Sequence, residues 1–141
     1  MATRTQAREA VVALLYAYHT GNQEIRKFAV EILEERHIKN RQQQFALSLF
    51  DGTLQNLEQI DKVIKQALKE WDFNKLGEME RAILRLGTFE ILYSETDRAV
   101  IINEAVELSK VFGGENAPRF INGVLDGIPK QEYKESSRRE E

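Results

Sequence analysis

The stretch IINEAVELSKVFGGENAPRFINGVLDGI, residues 101–128, predicts two helices around which the rest of the chain packs. Its apolar residues recur at helical spacing on both sides of a short turn. They are Ile101, Ala105, Leu108 and Phe112, then Phe120, Ile121, Val124, Leu125 and Ile128. Gly113 with Gly114 is expected to supply the left-handed residue that ends the first helix. Asn116 is expected to cap the second helix, with Pro118 in its first turn. Gly123, in the middle of that helix, predicts that a neighbouring backbone approaches closely.

The composition is typical of one helical domain. Of the 141 residues, 42% are hydrophobic, 30% are charged and only two are prolines. We expect an all-α domain over residues 1–129 and a mobile charged tail over residues 130–141, where the apolar period stops. No apolar run approaches the length of a membrane span, and the N-terminus lacks the apolar segment of a signal peptide, which predicts a cytoplasmic protein.

The chain lacks the usual sequence signs of an enzyme. It has no cysteine, no phosphate-binding glycine loop, no nucleophile elbow and no zinc-protease motif. His19 and His37 have no companions at metal-ligand spacing. We therefore predict no catalytic site, metal or cofactor. The 20 basic and 23 acidic residues give a net charge of −3, so any contact with nucleic acid is expected to be local.

The first helix is predicted to begin with a capping box between Thr3 and Gln6 and to end at Gly21. Its first turn carries Arg4 and Arg8 before any acid, although the helix dipole favours acids there. This small positive patch indicates an anionic partner. Two solvated arginines on an exposed turn explain the pattern equally well.

The middle of the chain predicts three more helical segments. Asn22 is expected to cap the second helix, and residues 34–40 to form a surface connection. Helical spacing then runs from residue 41 to 71, with a break expected near Gly52 or near Asp61, which could cap a shorter helix. The segment that follows, up to Tyr93, is apolar enough to be the central helix.

The central segment contains two arginines, Arg81 and Arg85. Arg81 is expected to pair with Glu78. Arg85, flanked by leucines, is either a core-edge arginine paired with Glu90 or Glu104, which we favour, or part of a binding face. After it, Asp97 is expected to cap the helix that starts the closing pair.

Four segments then indicate a family. They are AREAVVALLYAY (residues 7–18), MERAILRLGTFEI (residues 79–91), INEAVELSKVFG (residues 102–113) and RFINGVLD (residues 119–126). In this order they resemble the NusB family of bacterial transcription antitermination factors over nearly the whole chain. The sequence departs from the family in two places. It keeps only Arg4 and Arg8 where members usually carry consecutive arginines, which predicts reduced RNA affinity, and it lacks the usual proline before residue 101.

The resemblance implies a NusB-like fold of about seven helices in two three-helix subdomains and a protein that is not an enzyme. It also implies binding to boxA sequences in ribosomal RNA leaders, a heterodimer with the ribosomal protein NusE, and loading of that complex on RNA polymerase. The residues carried over by motif to the RNA surface are Arg4, Arg8, Tyr16, Asn116, Arg119 and Phe120. Those expected on the NusE surface are Trp71, Phe73, Leu76, Glu78, Glu80 and Arg81.

Alternatives remain open at the level of sequence. Phe120 is as readily a core residue as a base-stacking one. A protein-interaction module or homodimer without sequence-specific RNA binding is the second reading of the whole chain. The RNA-binding arm of an RNA cytosine methyltransferase is a third, and the chain is too short for it.

Overall fold

The computed structural model describes residues 1–129, so the predicted tail, residues 130–141, lies outside the described residues. Within residues 1–129 the chain forms seven α-helices and no strand, which confirms the predicted all-α class. The helices are α1 Arg4–His19, α2 Ala29–Glu35, α3 Asn40–Gln55, α4 Leu57–Leu68, α5 Glu78–Tyr93, α6 Arg98–Phe112 and α7 Ala117–Asp126, with short 3-10 turns at Ile25–Phe28 and Phe73–Lys75. In this part of the chain no helix is both long enough and apolar enough to cross a membrane.

The boundaries of α1 are as predicted. The Thr3 hydroxyl accepts the backbone N–H of Gln6, and the Gln6 side chain accepts that of Thr3. The chain then turns at Gly21, whose φ of 126° favours glycine. The predicted cap at Asn22 is wrong, because the chain enters α2 through a 3-10 turn that starts only at Ile25.

The long apolar segment from residue 41 to 71 divides at Asn56 into α3 and α4. The Asn56 side-chain amide donates to the Gly52 carbonyl and so closes α3. Gly52 lies inside α3, and the ring of Phe89 fills the space where a Cβ would lie, which explains the glycine at this position. The predicted cap at Asp61 is wrong: this residue lies inside α4.

The central helix is α5, as predicted. Ten of its 16 residues are buried, so it is covered on nearly all sides. It packs against α1 and α3 of one helical group, which also contains α2, and against α4, α6 and α7 of the other. This is the predicted arrangement of helices in two subdomains, with α5 in contact with both.

The closing pair α6 and α7 forms as predicted, but its turn differs. Gly113 is extended, with φ −97° and ψ 179°, and Gly114 does not have a positive φ either, so the predicted left-handed glycine is wrong. The reason for glycine is space, because a Cβ at Gly113 would lie 2.5 Å from the Ala117 Cβ and 2.8 Å from the Ser109 carbonyl oxygen. The turn is therefore tight enough to exclude any side chain at this position.

The predicted side-chain caps of this pair are also wrong. Asp97 and Asn116 occupy the N-cap positions, but neither side chain accepts a hydrogen bond from the helix that follows. The far end of α7 is instead closed by Arg98, whose guanidinium donates to the carbonyls of Leu125, Asp126 and Ile128. This arginine fixes the start of α6 to the end of α7.

The predicted close neighbour of Gly123 is absent from the described residues. A Cβ built at Gly123 would meet no atom within 4 Å. The glycine therefore faces open space on the side of α7.

Candidate nucleic-acid and partner surfaces

The N-terminus of α1 presents one exposed arginine. The Arg4 guanidinium carbon lies 4.3 Å from the centre of the Phe45 ring, within the range of a cation–π contact. The neighbouring Thr5 hydroxyl donates to the Glu104 carboxylate at 2.8 Å. This hydrogen bond holds the start of α1 against α6, so that Arg4 projects from a fixed point of the surface.

Arg8 does not share this surface, and the predicted exposed patch of two arginines is wrong. Its side chain is only 3% exposed, and that of Glu90 on α5 is 2% exposed. Arg8 Nε and Nη2 donate to the two Glu90 carboxylate oxygens at 2.9 and 2.8 Å. Its Nη1 lies 3.6 Å from Glu104. Arg8 is thus the basic half of a buried bidentate ion pair that joins α1 to α5.

The start of α7 forms a second exposed group. Asn116 and Arg119 are exposed, and Arg119 makes no ion pair with another of the described residues. Phe120 is half-buried and packs edge-to-face on Trp71, with ring centroids 5.3 Å apart. Trp71 is 62% exposed. Sequence reasoning assigned Trp71 to the partner surface, whereas the structure places it beside Phe120 of the predicted RNA surface.

Helix α6 links these two groups. Glu104 holds the start of α1, and α7 begins just after the end of α6 at Phe112. The separation between Glu104 and Phe112 corresponds to about 12 Å of helix at roughly 1.5 Å per residue. Helix α6 therefore contacts the start of α1 through Glu104 and leads into the turn before α7.

Tyr16 lies away from Arg4. It is 40% exposed, and it stands about 18 Å further along α1 at roughly 1.5 Å per residue. Helix α1 runs antiparallel to α5, because Arg8 meets Glu90 near the end of α5 while His19 lies within electrostatic reach of Glu78 near its start. Tyr16 is thus exposed at the end of the molecule where α5 begins.

Four of the six predicted partner residues lie at that same end, whereas Trp71 lies beside Phe120 and Phe73 is buried. Leu76, Glu78, Glu80 and Arg81 are half-buried, and Arg81 is tied to the Glu78 carboxylate and to the Phe73 carbonyl. Phe73 is only 6% exposed, so its expected role as an apolar anchor on the surface is wrong. Its ring is covered by cationic groups of Lys65, Arg81 and Arg85, whose charged atoms lie 5.2–5.7 Å from the ring centroid.

Arg85 is a core-edge arginine, as favoured from sequence, but with another partner. Its Nε and Nη2 donate to the Asp61 carboxylate at 2.9 and 3.1 Å, and neither Glu90 nor Glu104 is its partner. Burial, and then the charge of Arg85, lower the pKa of His19 below its ordinary value. His19 Nδ1 lies 3.0 Å from the Leu15 carbonyl oxygen, so the ring is held within its own helix. Among the described residues no group of three or more His, Cys, Asp or Glu side chains could hold a metal ion.

The fold is an all-α domain that carries Arg4, Arg119 and the Trp71–Phe120 ring pair at its surface. The comparisons with known proteins agree. A model of the NusB family matches residues 5–130. The chain belongs to the NusB family. This membership confirms the prediction that the protein is not an enzyme, because the family consists of transcription antitermination factors.

Relatives and solved structures match over most of their length. The transcription antitermination protein NusB of Wolinella succinogenes is 73% identical over 128 residues, which is 91% of this chain and 95% of that protein. The NusB protein of Helicobacter hepaticus is 64% identical over 135 residues, covering 95% and 86% of the two chains. A crystal structure of the antitermination factors NusB and NusE in complex with dsRNA aligns with a TM-score of 0.80 at 30% identity, covering 94% of this chain and 96% of that one. The solution structure of NusB from Aquifex aeolicus aligns with a TM-score of 0.78 at 31% identity, covering 100% and 95%.

Proposed function

We propose that this protein is a cytoplasmic, non-enzymatic transcription antitermination factor. It binds the boxA RNA of ribosomal RNA leaders as a heterodimer with the ribosomal protein NusE and joins the antitermination complex on RNA polymerase. The observation that carries this proposal is the match to NusB proteins over nearly the whole chain, together with a solved relative that was crystallised with NusE and RNA. The surfaces described above supply the chemistry.

The proposed RNA surface runs from Arg4 to the start of α7. Arg4 and Arg119 supply the positive charge for phosphates, and the exposed Asn116 supplies amide hydrogen bonds. Trp71 and Phe120 offer exposed ring area on which unpaired bases can stack, a contact worth about 1–3 kcal/mol per base. Arg8 is not part of this surface, because its guanidinium is buried in the ion pair with Glu90.

The proposed NusE surface lies at the other end of α1. Tyr16 joins it rather than the RNA surface, because it is exposed where α5 begins. Leu76 adds apolar area and Glu80 adds an acid that makes no ion pair with any residue of 1–129. An acidic protein with a net charge of −3 is electrostatically suited to a basic ribosomal protein.

Single substitutions separate the two surfaces. Arg4→Ala is expected to lower RNA affinity and to reduce the slope of log K against log salt by about 0.7, the value for one phosphate contact on a single strand. Arg36→Ala, which removes an exposed arginine at the end of α2, is the matched control. Fluorescence anisotropy with a labelled boxA-type RNA at several salt concentrations measures both quantities. Equal slopes for both variants and the wild type would remove Arg4 from the proposed surface.

A further inference from the structure

A groove with a volume of about 530 Å³ opens between α4 and α7, beside the Trp71–Phe120 ring pair. Its walls are mostly apolar and include several small residues. They include Val63, Ala67, Lys69, Trp71, Phe120 and Gly123.

The fold itself gives no reason for glycine at position 123. Gly123 lies inside α7 with no positive φ, so its backbone conformation suits any residue. No atom lies within 4 Å of the place where a Cβ would be, so packing does not require glycine either. A glycine inside a helix makes the helix less stable than an alanine would. What Gly123 does is leave the α7 wall of the groove flat and open.

The charges at the groove favour an anionic occupant. Although the whole chain carries a net charge of −3, none of the described residues that line the groove is acidic. Lys69 is the one charged residue in this lining, and it makes no ion pair within residues 1–129. A flat apolar wall, an exposed aromatic ring and a cation at the rim are the features that bind a nucleotide of single-stranded RNA.

We infer that this groove is a pocket for one unpaired RNA base, which lies against Gly123 and beside Trp71 while its phosphate faces Lys69. The inference rests on the proposed RNA-binding function and deepens it, since it adds a base-binding pocket to a surface of arginines and exposed rings. It continues the proposed RNA surface directly, because Phe120 borders both.

The test uses the full chain and two variants of Gly123. Gly123→Ala narrows the groove and Gly123→Leu fills it, while both residues are better helix formers than glycine, so the thermal midpoint is expected to equal or exceed that of the wild type. Asn122→Ala is the matched control, since Asn122 is the adjacent residue and is exposed toward the opposite groove, between α6 and α7. Trp71 is the only tryptophan in the chain, so intrinsic emission reports on this groove.

At low salt, a boxA-type single-stranded RNA is expected to change Trp71 emission in the wild type and in Asn122→Ala. Gly123→Leu is expected to lose about tenfold in RNA affinity, as for one lost base-stacking contact, together with most of the emission change. Gly123→Ala is expected to show a smaller loss in the same direction.

The outcomes separate this inference from the function on which it rests. Absence of RNA binding by the wild type, at low salt and with NusE present, would overturn both. Wild-type affinity and emission change in Gly123→Leu would overturn the pocket alone. Trp71 emission that does not change with RNA would also overturn the pocket if another perturbation changes it. A response to NusE would assign the groove to the partner, and a response to protein concentration would assign it to a second copy. A response to removal of residues 130–141 would assign it to the tail.

Discussion

Replacing Arg8 by alanine is predicted to destabilise the protein without directly removing an RNA contact. The substitution leaves the Glu90 carboxylate, which is 2% exposed, without the two hydrogen bonds it accepts at 2.8 and 2.9 Å. Removing one partner of a buried ion pair costs about 3–5 kcal/mol. A domain of this size is stable by about 5–15 kcal/mol, so this is a large part of the total.

Urea unfolding followed by circular dichroism measures this loss. The midpoint is expected to fall in proportion, and the melting temperature by roughly 10 °C. Arg8→Met combined with Glu90→Leu is expected to recover most of the stability, because it removes both charges and keeps apolar volume in the core. At a temperature where Arg8→Ala is folded, its RNA affinity is expected to stay close to that of the wild type.

Two results would contradict the assignment of Arg8 to a buried ion pair. If Arg8→Ala unfolds at the wild-type urea midpoint and yet binds RNA more weakly, Arg8 is an RNA-contacting residue and not the basic half of a buried pair. If the double variant is no more stable than Arg8→Ala, the loss does not come from an unpaired carboxylate.

Three further predictions concern other parts of the fold. Gly113→Ala is expected to destabilise the folded protein by about 1–3 kcal/mol through overpacking of the α6–α7 turn. Gly114→Ala is the control, because a Cβ has free space there, and it is expected to change the urea midpoint little. Equal effects of the two substitutions would contradict the tight packing inferred at Gly113. Burial lowers the pKa of His19 below 6.5 in the folded state, so the unfolded state binds more protons as pH falls and stability is lost below about pH 6.5. His19→Gln is therefore expected to show a smaller drop in urea midpoint between pH 7.5 and pH 5.5 than the wild type. A drop as large as that of the wild type would contradict this prediction. Tyr16→Ala is expected to weaken NusE binding in calorimetry while leaving RNA binding by the free protein unchanged, and the reverse result would return Tyr16 to the RNA surface.

Local features of the fold were predictable because they depend on neighbours in sequence. The capping box at Thr3 and the positive φ of Gly21 are set by residues a few positions apart, and the apolar period of α5 marked it as central. The caps at Asn22, Asp61 and Asn116 failed for the opposite reason. Packing of the helices decides where each one begins, and residue preference alone is a weak guide to it.

The candidate site was harder to predict because its contacts join distant parts of the chain. Arg8 meets Glu90 across 82 positions, and no local pattern specifies that pair. One signal was available: Arg8 precedes Val11 and Val12 by three and four residues, which places it on the buried stripe of α1. The contact between Trp71 and Phe120 had no comparable signal, so the two rings were assigned to different surfaces.

The main property proposed for this protein is selective RNA binding as an adaptor with NusE. The most direct measurement is an anisotropy titration with a labelled boxA-type RNA and a scrambled RNA, at low and near-physiological salt, with and without NusE. Since the chain keeps few arginines at its N-terminus, tight and selective binding of the boxA-type RNA at near-physiological salt is expected only when NusE is present. Equal binding of both RNAs in every condition, with NusE binding demonstrated separately, would contradict it and leave a protein-interaction module.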